Sequence, residues 1–561
     1  MRGRATGSPE LEKAAQFLAG KYRQFGLKPG AGSSYLQAFP ATTGGKLGPA
    51  NRFQFTGNGR PVSLKFPGEF VPFAFSANAH LTGGVVFAGY GITAPEYHYD
   101  DYAGIDVKGK IVLLLRHEPQ ENDEHSVFAG KALTNHAQFA AKATNAKMHG
   151  AAGVILIGDV FAHRGDSDDL QKFGNVEGPS ESGIPFVQVK ERSIDPWFAA
   201  AGKSLEQIEA GIDQDLKPES FTFPASVKVD ANVDIQRIVK TVHNVAAYLP
   251  GQTDEYVIIG GHYDHLGLGE QYSMAPDLAG TIHPGADDNA SGAAGVVELA
   301  RWFSQQPKQK RGILFLNFAG EELGLLGSAW YVEHPELPLA KAVAMINLDM
   351  IGRVRSGKVY IGGVDTGSGL RAMLDSITPK YQLKMDYSDS SGYGSSDHTS
   401  FTIKQVPVLF FFSGLHSDYH KPSDTWDKID APGAVKVLNV VAESTSHLLE
   451  SPTRPAFVRV APASPVSSSP GSGYGPYFGS IPDFGEGTKG VKFADVREGS
   501  PAGKAGFKAG DVMVEFDGKA IQNLYDFTYA LQAKKPGDEV VVKVLRDGKP
   551  VEAKVLLTKR Q

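Results

Sequence analysis

Asn317-Phe318-Ala319-Gly320-Glu321-Glu322-Leu323-Gly324-Leu325-Leu326-Gly327-Ser328 decides how this chain is read. The apolar run that leads into it, from Gly312 to Phe318, has the length and composition of a buried strand. It stops at Gly320, and two carboxylates follow at once. A helical pattern begins at Leu323. Adjacent glutamates at the exit of a buried strand need a reason, because a carboxylate near a core is costly unless paired or bound to metal. A place in the first turn of the next helix, where negative charge suits the helix dipole, is one reason. The surrounding chain offers another.

Outward from this stretch, residues 235–450 alternate between strand and helix patterns. The run lengths predict strands at 241–248, 256–260, 342–347, 358–362 and 406–412, with helices at 292–304, 325–333, 369–380 and 431–449. That alternation predicts an α/β fold on a mostly parallel central sheet covered on both faces. In such sheets the ligand site lies beyond the carboxyl ends of the strands. Those ends carry Gly261-His262-Tyr263-Asp264-His265, then Glu321-Glu322, then Asp349, then Tyr419-His420. Gly285-Ala286-Asp287-Asp288-Asn289 stands between the first two, just before a helix. Each has an ordinary reading alone: a helix cap for Asp287-Asp288-Asn289, a turn residue for Asp349, a loop cap for His420. Two histidines and several carboxylates converging at successive strand ends have the composition of a catalytic zinc pair. The chain has Cys 0, so disulfides, thiolate metal sites and a cysteine nucleophile are excluded.

The segments GGHYDHL, PGADDNASG, FAGEELGLLGS, NLDMIGR, SSDHTSF and DYHKPSDT resemble those of the di-zinc aminopeptidases of metallopeptidase family 28. That group shares its fold, a zinc-exopeptidase (phosphorylase/hydrolase-like) sandwich, with glutamate carboxypeptidase II. The resemblance covers 235–450 in the family order. It implies that His262 and Asp349 hold one Zn²⁺, and Glu322 and His420 the other. It makes Asp287 the bridge between them, through a cis peptide bond to Asp288. Asp264 would orient His262 from outside the ligand set, Asp288 would also support the site from there, Glu321 would be the general base, and Tyr419 would stand beside the scissile carbonyl. Ser396-Asp397-His398 is read as site wall. The implied cofactors are two Zn²⁺ per chain, and the implied partners are peptide substrates.

The rest of the chain divides by composition. Residues 10–27 predict a helix with Leu11, Ala14, Phe17, Leu18, Tyr22 and Phe25 on one face. Residues 80–225 form a β-rich unit resembling a PA domain, expected to limit substrate size. Its His117, His125, His136, His149 and His163 are scattered in sequence and read as ordinary surface or core histidines. Residues 453–475 are rich in Pro, Ser and Gly and read as a linker. Residues 476–561 resemble a PDZ domain, on GSPAGKAGFKAGDVMVEFDGKAI. That resemblance implies binding of protein C-termini by strand addition, with Tyr477, Phe478, Gly479, Ser480 and Ile481 as the carboxylate loop. The catalytic domain is then expected at 1–79 and 226–452.

Net charge is −6 over 561 residues, with no basic field to suit nucleic acid. No apolar run approaches the roughly 18 residues of a membrane helix. Residues 1–10 lack an apolar signal core; an extracytoplasmic location, periplasmic or secreted, is expected, with the export signal outside this sequence. Oligomeric state is not legible. Two other functions fit the same fold. A carboxypeptidase would need arginines for a substrate carboxylate, and Arg353 and Arg355 are the nearby pair. A non-catalytic scaffold would have no use for Glu321.

Overall fold

The computed structural model describes the chain apart from Met1 and residues 58–59, 124, 129, 131–132, 165–166, 175–180, 355–356, 389, 395, 461–475, 483–488, 498 and 559–561. Arg355 and most of the expected linker thus lie outside the described residues. The chain divides into two compact units, one holding residues 1–43, 239–468 and 481–487, the other holding 44–238, 469–480 and 488–561. Residues 44–79 and 226–238, expected in the catalytic domain, belong to the second unit. The reason is strand pairing: Arg52–Thr56, Phe70–Pro72 and Lys228–Val233 hydrogen-bond into the sheet of that unit.

The first unit is an α/β sandwich. Its elements are α1 (Pro9–Gln24), β1 (Leu36–Leu47), β2 (Ile235–Leu249), β3 (Tyr256–His262), α2 (Gly292–Ser304), β4 (Gly312–Phe318), α3 (Leu326–Glu333), β5 (Ala342–Leu348), β6 (Lys358–Gly362), α4 (Leu370–Ile377), β7 (Lys384–Asp386), α5 (His398–Ile403), β8 (Val408–Phe412) and α6 (Ala431–Glu450). The sheet runs β2-β4-β3-β5-β8-β6-β7, with β1 and the short strand Lys28–Pro29 both paired to β2. The four central strands β4, β3, β5 and β8 are parallel, and β2 and β6 flank them antiparallel. The expectation of a mostly parallel sheet thus describes its centre, and the flanks make it mixed.

Both faces are covered, and the strand period sorts side chains between them. Val257, Ile259, Ile313 and Phe315 pack into one core with α1, α2, α4 and α6. Their neighbours Ile258, Leu314, Leu316 and Phe318 face the opposite way, into a core with Tyr331 and Val332 of α3 and Phe401 of α5. Strands buried on both sides read as continuous apolar runs rather than alternating ones. That is why GILFLNF looked like an unbroken hydrophobic stretch.

In the second unit, Ala79–Phe87, Ile111–Leu115, Gly153–Ile157 and Phe186–Val189 form a parallel run within a nine-stranded sheet. A separate sheet holds the carboxyl-terminal strands from Ser480–Pro482 to Lys549–Leu556. Among the described residues no helix is long and apolar enough to cross a membrane.

Candidate metal centre

Register brings the site together. His262 of β3 is level with Phe318 of β4, and Gly260 with Asn347 of β5. Glu321-Glu322 and Asp349 therefore leave neighbouring parallel strands at the same rim as His262. Asp287 and Asp288 reach that rim from the turn before α2, and His420 from the loop after β8. Met350 and His420 hold φ of 52° and 53°. Non-glycine residues in this left-handed region cost about 1–3 kcal/mol each and cluster at functional sites.

Asp288 lies at the centre. Its Oδ1 is 3.4 Å from His262 Nε2, and its Oδ2 is 3.2 Å from His420 Nε2. His262 Nε2 is also 3.3 Å from Asp349 Oδ1, and His420 Nε2 is 3.0 Å from Glu322 Oε2. Two donor sets, each of one histidine and one carboxylate, thus share the two oxygens of Asp288. Asp287, expected as the bridge, points elsewhere. Its Oδ2 faces His416 Nε2 at 3.2 Å, and its Oδ1 accepts from Gly352 N and Ser291 Oγ. The cis peptide likewise joins Asp288 to Asn289, one bond later than expected. Adjacent acids on one turn point in different directions, and spacing alone does not say which faces inward.

The buried atoms fit a cation. Asp349 Oδ1 and His420 Nε2 are buried and make no hydrogen bond. A tetrahedral ion with bonds near 2.0 Å sets its donors about 3.3 Å apart, which is the spacing of both sets. His265 Nδ1 is 2.7 Å from Glu322 Oε1 and orients that carboxylate, and one donor atom each of His265, Asp288 and Glu322 lies within 4.8 Å of the others.

A second layer holds these groups. Asp264 Oδ1 accepts the Glu321 N–H at 3.2 Å and stands 3.6 Å from His262 Nδ1. Its Oδ2 accepts from Thr6 Oγ1 at 2.8 Å. Arg4 donates to the carbonyls of Tyr263, Pro284 and Gly285, tying the segment after β3 to the turn that carries Asp287 and Asp288. Ser396 Oγ donates to Asp349 Oδ2 at 2.7 Å, and Asn347 Nδ2 donates to that Ser396 oxygen at 2.8 Å. His398 stacks on Phe410 with ring centres 4.4 Å apart, and burial lowers it to about 3, so it is a neutral wall group. Asp424 accepts the backbone N–H of both Asp287 and Asp288. Sequence reading missed Arg4, Thr6, His265, His416 and Asp424. Of these only His265 and Asp424 lie within the motifs quoted above, where they offered a signal.

The two adjacent glutamates are driven apart. Burial pushes Glu321 well above the ordinary carboxylate range, and the charges of Glu322, Asp349 and Asp397 add to it against His262. Burial and Asp288 would also raise Glu322, but hydrogen bonds from His265 and His420 hold it below the ordinary value. Neighbouring acids split in this way mark one proton carrier and one permanent anion. Tyr419 stacks on His420 with ring centres 3.8 Å apart. Burial, then the charges of Asp288, Glu322, Glu321 and Asp349, keep its phenol protonated.

In the carboxyl-terminal sheet, Ser480–Pro482 is the outer strand. Tyr477 is bridged by backbone to Thr558. Phe478 sits in the core at 2 % exposure, against Phe493, Phe507, Phe516 and Phe527. Its side chain is therefore structural rather than peptide-facing. Gly479 has φ of 96°, and a Cβ there would meet Ser500 Cβ at 2.2 Å, so only glycine fits. Ile481 continues the outer strand.

Residues 244–445 match the peptidase family M28, residues 77–197 the PA domain and residues 475–557 the PDZ domain. The chain is 26 % identical over 382 residues to aminopeptidase YwaD of Bacillus subtilis, covering 66 % of this chain and 70 % of that protein. It is 31 % identical over 197 residues to a probable leucine aminopeptidase of Arthroderma otae, covering 33 % of this chain and 52 % of that protein. The chain thus spans about half the length of that leucine aminopeptidase. Among solved structures, an aminopeptidase from Aneurinibacillus sp. strain AM-1 aligns over 82 % of this chain and 92 % of its own at 23 % identity, with a TM-score of 0.47. With the motifs of residues 260–425 gathered at one rim, this chain carries a peptidase family M28 domain, together with a PA domain and a PDZ domain.

Proposed function

We propose that the chain is a co-catalytic di-zinc aminopeptidase that removes N-terminal residues from peptides. The observation that carries this reading is Asp288, whose two oxygens face two separate histidine–carboxylate sets. His262 and Asp349 would hold one ion, Glu322 and His420 the other, and Asp288 both. A zinc held there would lower the pKa of water from 15.7 to about 7 and would polarise the scissile carbonyl.

The chain's own residues do the rest. Glu321 takes the proton of the attacking water and passes it to the leaving amine. Its raised affinity for a proton suits the second half of that cycle, and Glu322, held ionised beside it, stays a ligand. Tyr419, kept protonated, donates to the oxyanion, an effect worth about 2.7–4 kcal/mol where single donors have been removed.

Two observations favour an aminopeptidase over a carboxypeptidase. The relatives above carry aminopeptidase names. Arg353, the candidate anchor for a substrate carboxylate, is 8 % exposed and already pairs with Asp418 and Asp424. Its Nη1 and Nη2 both donate to these acids, so the face that would grip a substrate carboxylate is already engaged. The PDZ domain supports a second interaction, with the outer strand Ser480–Pro482 as the edge to which an extended peptide adds.

The test is a panel of aminoacyl-nitroanilides set against N-blocked and C-blocked peptides, with metal counted in the same sample. Cleavage confined to free N-termini, with two zinc equivalents bound at the Asp288 site, supports the reading. Turnover of N-blocked peptides from the C-terminus, or saturation at one equivalent, overturns it.

A further inference from the structure

Two histidines that are far apart in the PA region meet in the fold. His117 and Asp159 each lie two residues beyond a strand, Ile111–Leu115 and Gly153–Ile157. Those strands are parallel neighbours, with Leu115 paired to Ile157. Register therefore sets His117 and Asp159 side by side at the carboxyl rim, where ligand sites of parallel sheets form. Glu121 follows His117 by four residues, and His163 follows Asp159 by four.

The four side chains converge. His117 Nδ1 is 2.8 Å from Asp159 Oδ1 and 3.4 Å from Glu121 Oε2. His163 Nε2 is 2.9 Å from Glu121 Oε2 and 3.8 Å from Asp159 Oδ2. The rings stack with centres 4.6 Å apart. One donor atom from each residue lies within 4.8 Å of the other three. The Asp159 side chain is 2 % exposed, the others 15–30 %.

We infer that His117, Glu121, Asp159 and His163 form a closed four-ligand site for a divalent transition metal of the zinc type. The donor separations bracket the tetrahedral edge of about 3.3 Å set by bonds near 2.0 Å. Two imidazoles select zinc-like ions, whereas calcium and magnesium take oxygen ligands in larger number. Four protein donors leave no open position, which is the pattern of a structural rather than a catalytic zinc.

Hydrogen bonds pair His117 with Asp159 at 2.8 Å and His163 with Glu121 at 2.9 Å, one N–H to one carboxylate. They leave the crossed approaches, His117 to Glu121 at 3.4 Å and His163 to Asp159 at 3.8 Å, unexplained. Charging both rings would stack two cations. A single dication between them answers all four groups. Arg116, whose guanidinium interacts with both Asp159 and Glu121, already balances part of the acid charge. Lys142 also acts on Asp159, and its Nζ donates to the His117 carbonyl at 2.7 Å. The ion would staple the loop after one strand to the loop after the next, in a unit that Cys 0 leaves without disulfides.

The site uses no residue of the family M28 domain, so its test is independent of the catalytic reading. The full chain and the H117Q/H163Q variant are dialysed against the same buffered free Zn²⁺, and bound metal is counted by elemental analysis. One equivalent fewer in the variant, with nitroanilide turnover unchanged, is expected. The difference reports this site whatever the total. Zn²⁺ should also raise the melting temperature of the wild-type unit more than that of the variant. Equal metal counts overturn the inference, as does a site that fills with Ca²⁺ in preference to Zn²⁺. Should the double variant misfold, E121Q removes one half-buried donor charge, and at least tenfold weaker binding of the extra equivalent is expected. Unchanged binding in E121Q overturns the assignment equally.

Discussion

Asp424 Oδ2 accepts the backbone N–H of Asp288 at 3.1 Å, and that of Asp287 at 2.9 Å. Its other oxygen is held by Arg353 at 3.1 Å, and the side chain is fully buried. The central carboxylate of the site is thus fixed through its own backbone by an acid 136 residues away. Asp424→Ala would strand two buried N–H groups, each costing about 1–3 kcal/mol, and leave half of the Arg353 charge unanswered. Supporting groups of this kind carry about 10–100-fold in metal affinity. We expect a zinc affinity weaker by that factor, with kcat falling alongside, read by titration against a chromophoric chelator. Wild-type affinity in the variant would remove Asp424 from the support of the site.

Asp287 and Asp288 give a direct comparison. Asp288→Asn replaces an anion between two donor sets, and both metal equivalents should weaken together. Asp287→Asn alters a group facing His416, Ser291 and Gly352, so metal content should stay within a few-fold of wild type. Metal counts on the two variants decide between them. The opposite ranking would restore Asp287 as the bridge.

Glu321→Gln keeps the volume and the N–H bond to Asp264 but removes the proton carrier. Activity should fall by about 10²–10⁴, the range for a general base, with both zinc equivalents retained. Loss of metal instead would make Glu321 a ligand, and full activity would end its catalytic role.

Much of this is legible in the sequence. The strand Gly312–Phe318 showed as a run because both faces are buried. His262, Glu322, Asp349 and His420 showed because they end or follow strands of one parallel set. What did not show depended on direction rather than position. Asp287 and Asp288 are equivalent in sequence, and only the turn before α2 chooses which one faces the histidines. Phe17, read as core on α1, is 62 % exposed because it projects from the far side of the helix, away from the stripe of Leu11, Ala15, Leu18 and Tyr22. Arg4 and Thr6 act across more than 250 residues, which no local pattern reports. His117 and His163 looked scattered because their meeting is a property of strand register.

Glu209 supplies a pH test in the second unit. It is fully buried, with Oε1 unpartnered and Oε2 accepting from Phe161 N at 2.6 Å. Burial raises it to about 8, with Asp159 and Asp213 adding to the effect against the backbone bonds. Unfolded, it titrates near 4.5. Between those values the native state holds a proton that the unfolded state releases, so raising the pH disfavours the native state. The contribution is intact below about 4.5, declines through the interval and is gone above 8. Its size is on the order of 5 kcal/mol at most. Lys142, lowered to about 7 by burial, acts with the opposite sign above that pH, so the wild-type curve alone mixes the two. Glu209→Gln keeps an acceptor for Phe161 and cannot titrate. The melting temperature of this variant relative to wild type should therefore rise steadily from pH 5 to pH 8.5. Parallel curves over that range would mean that Glu209 is ionised in the native state throughout.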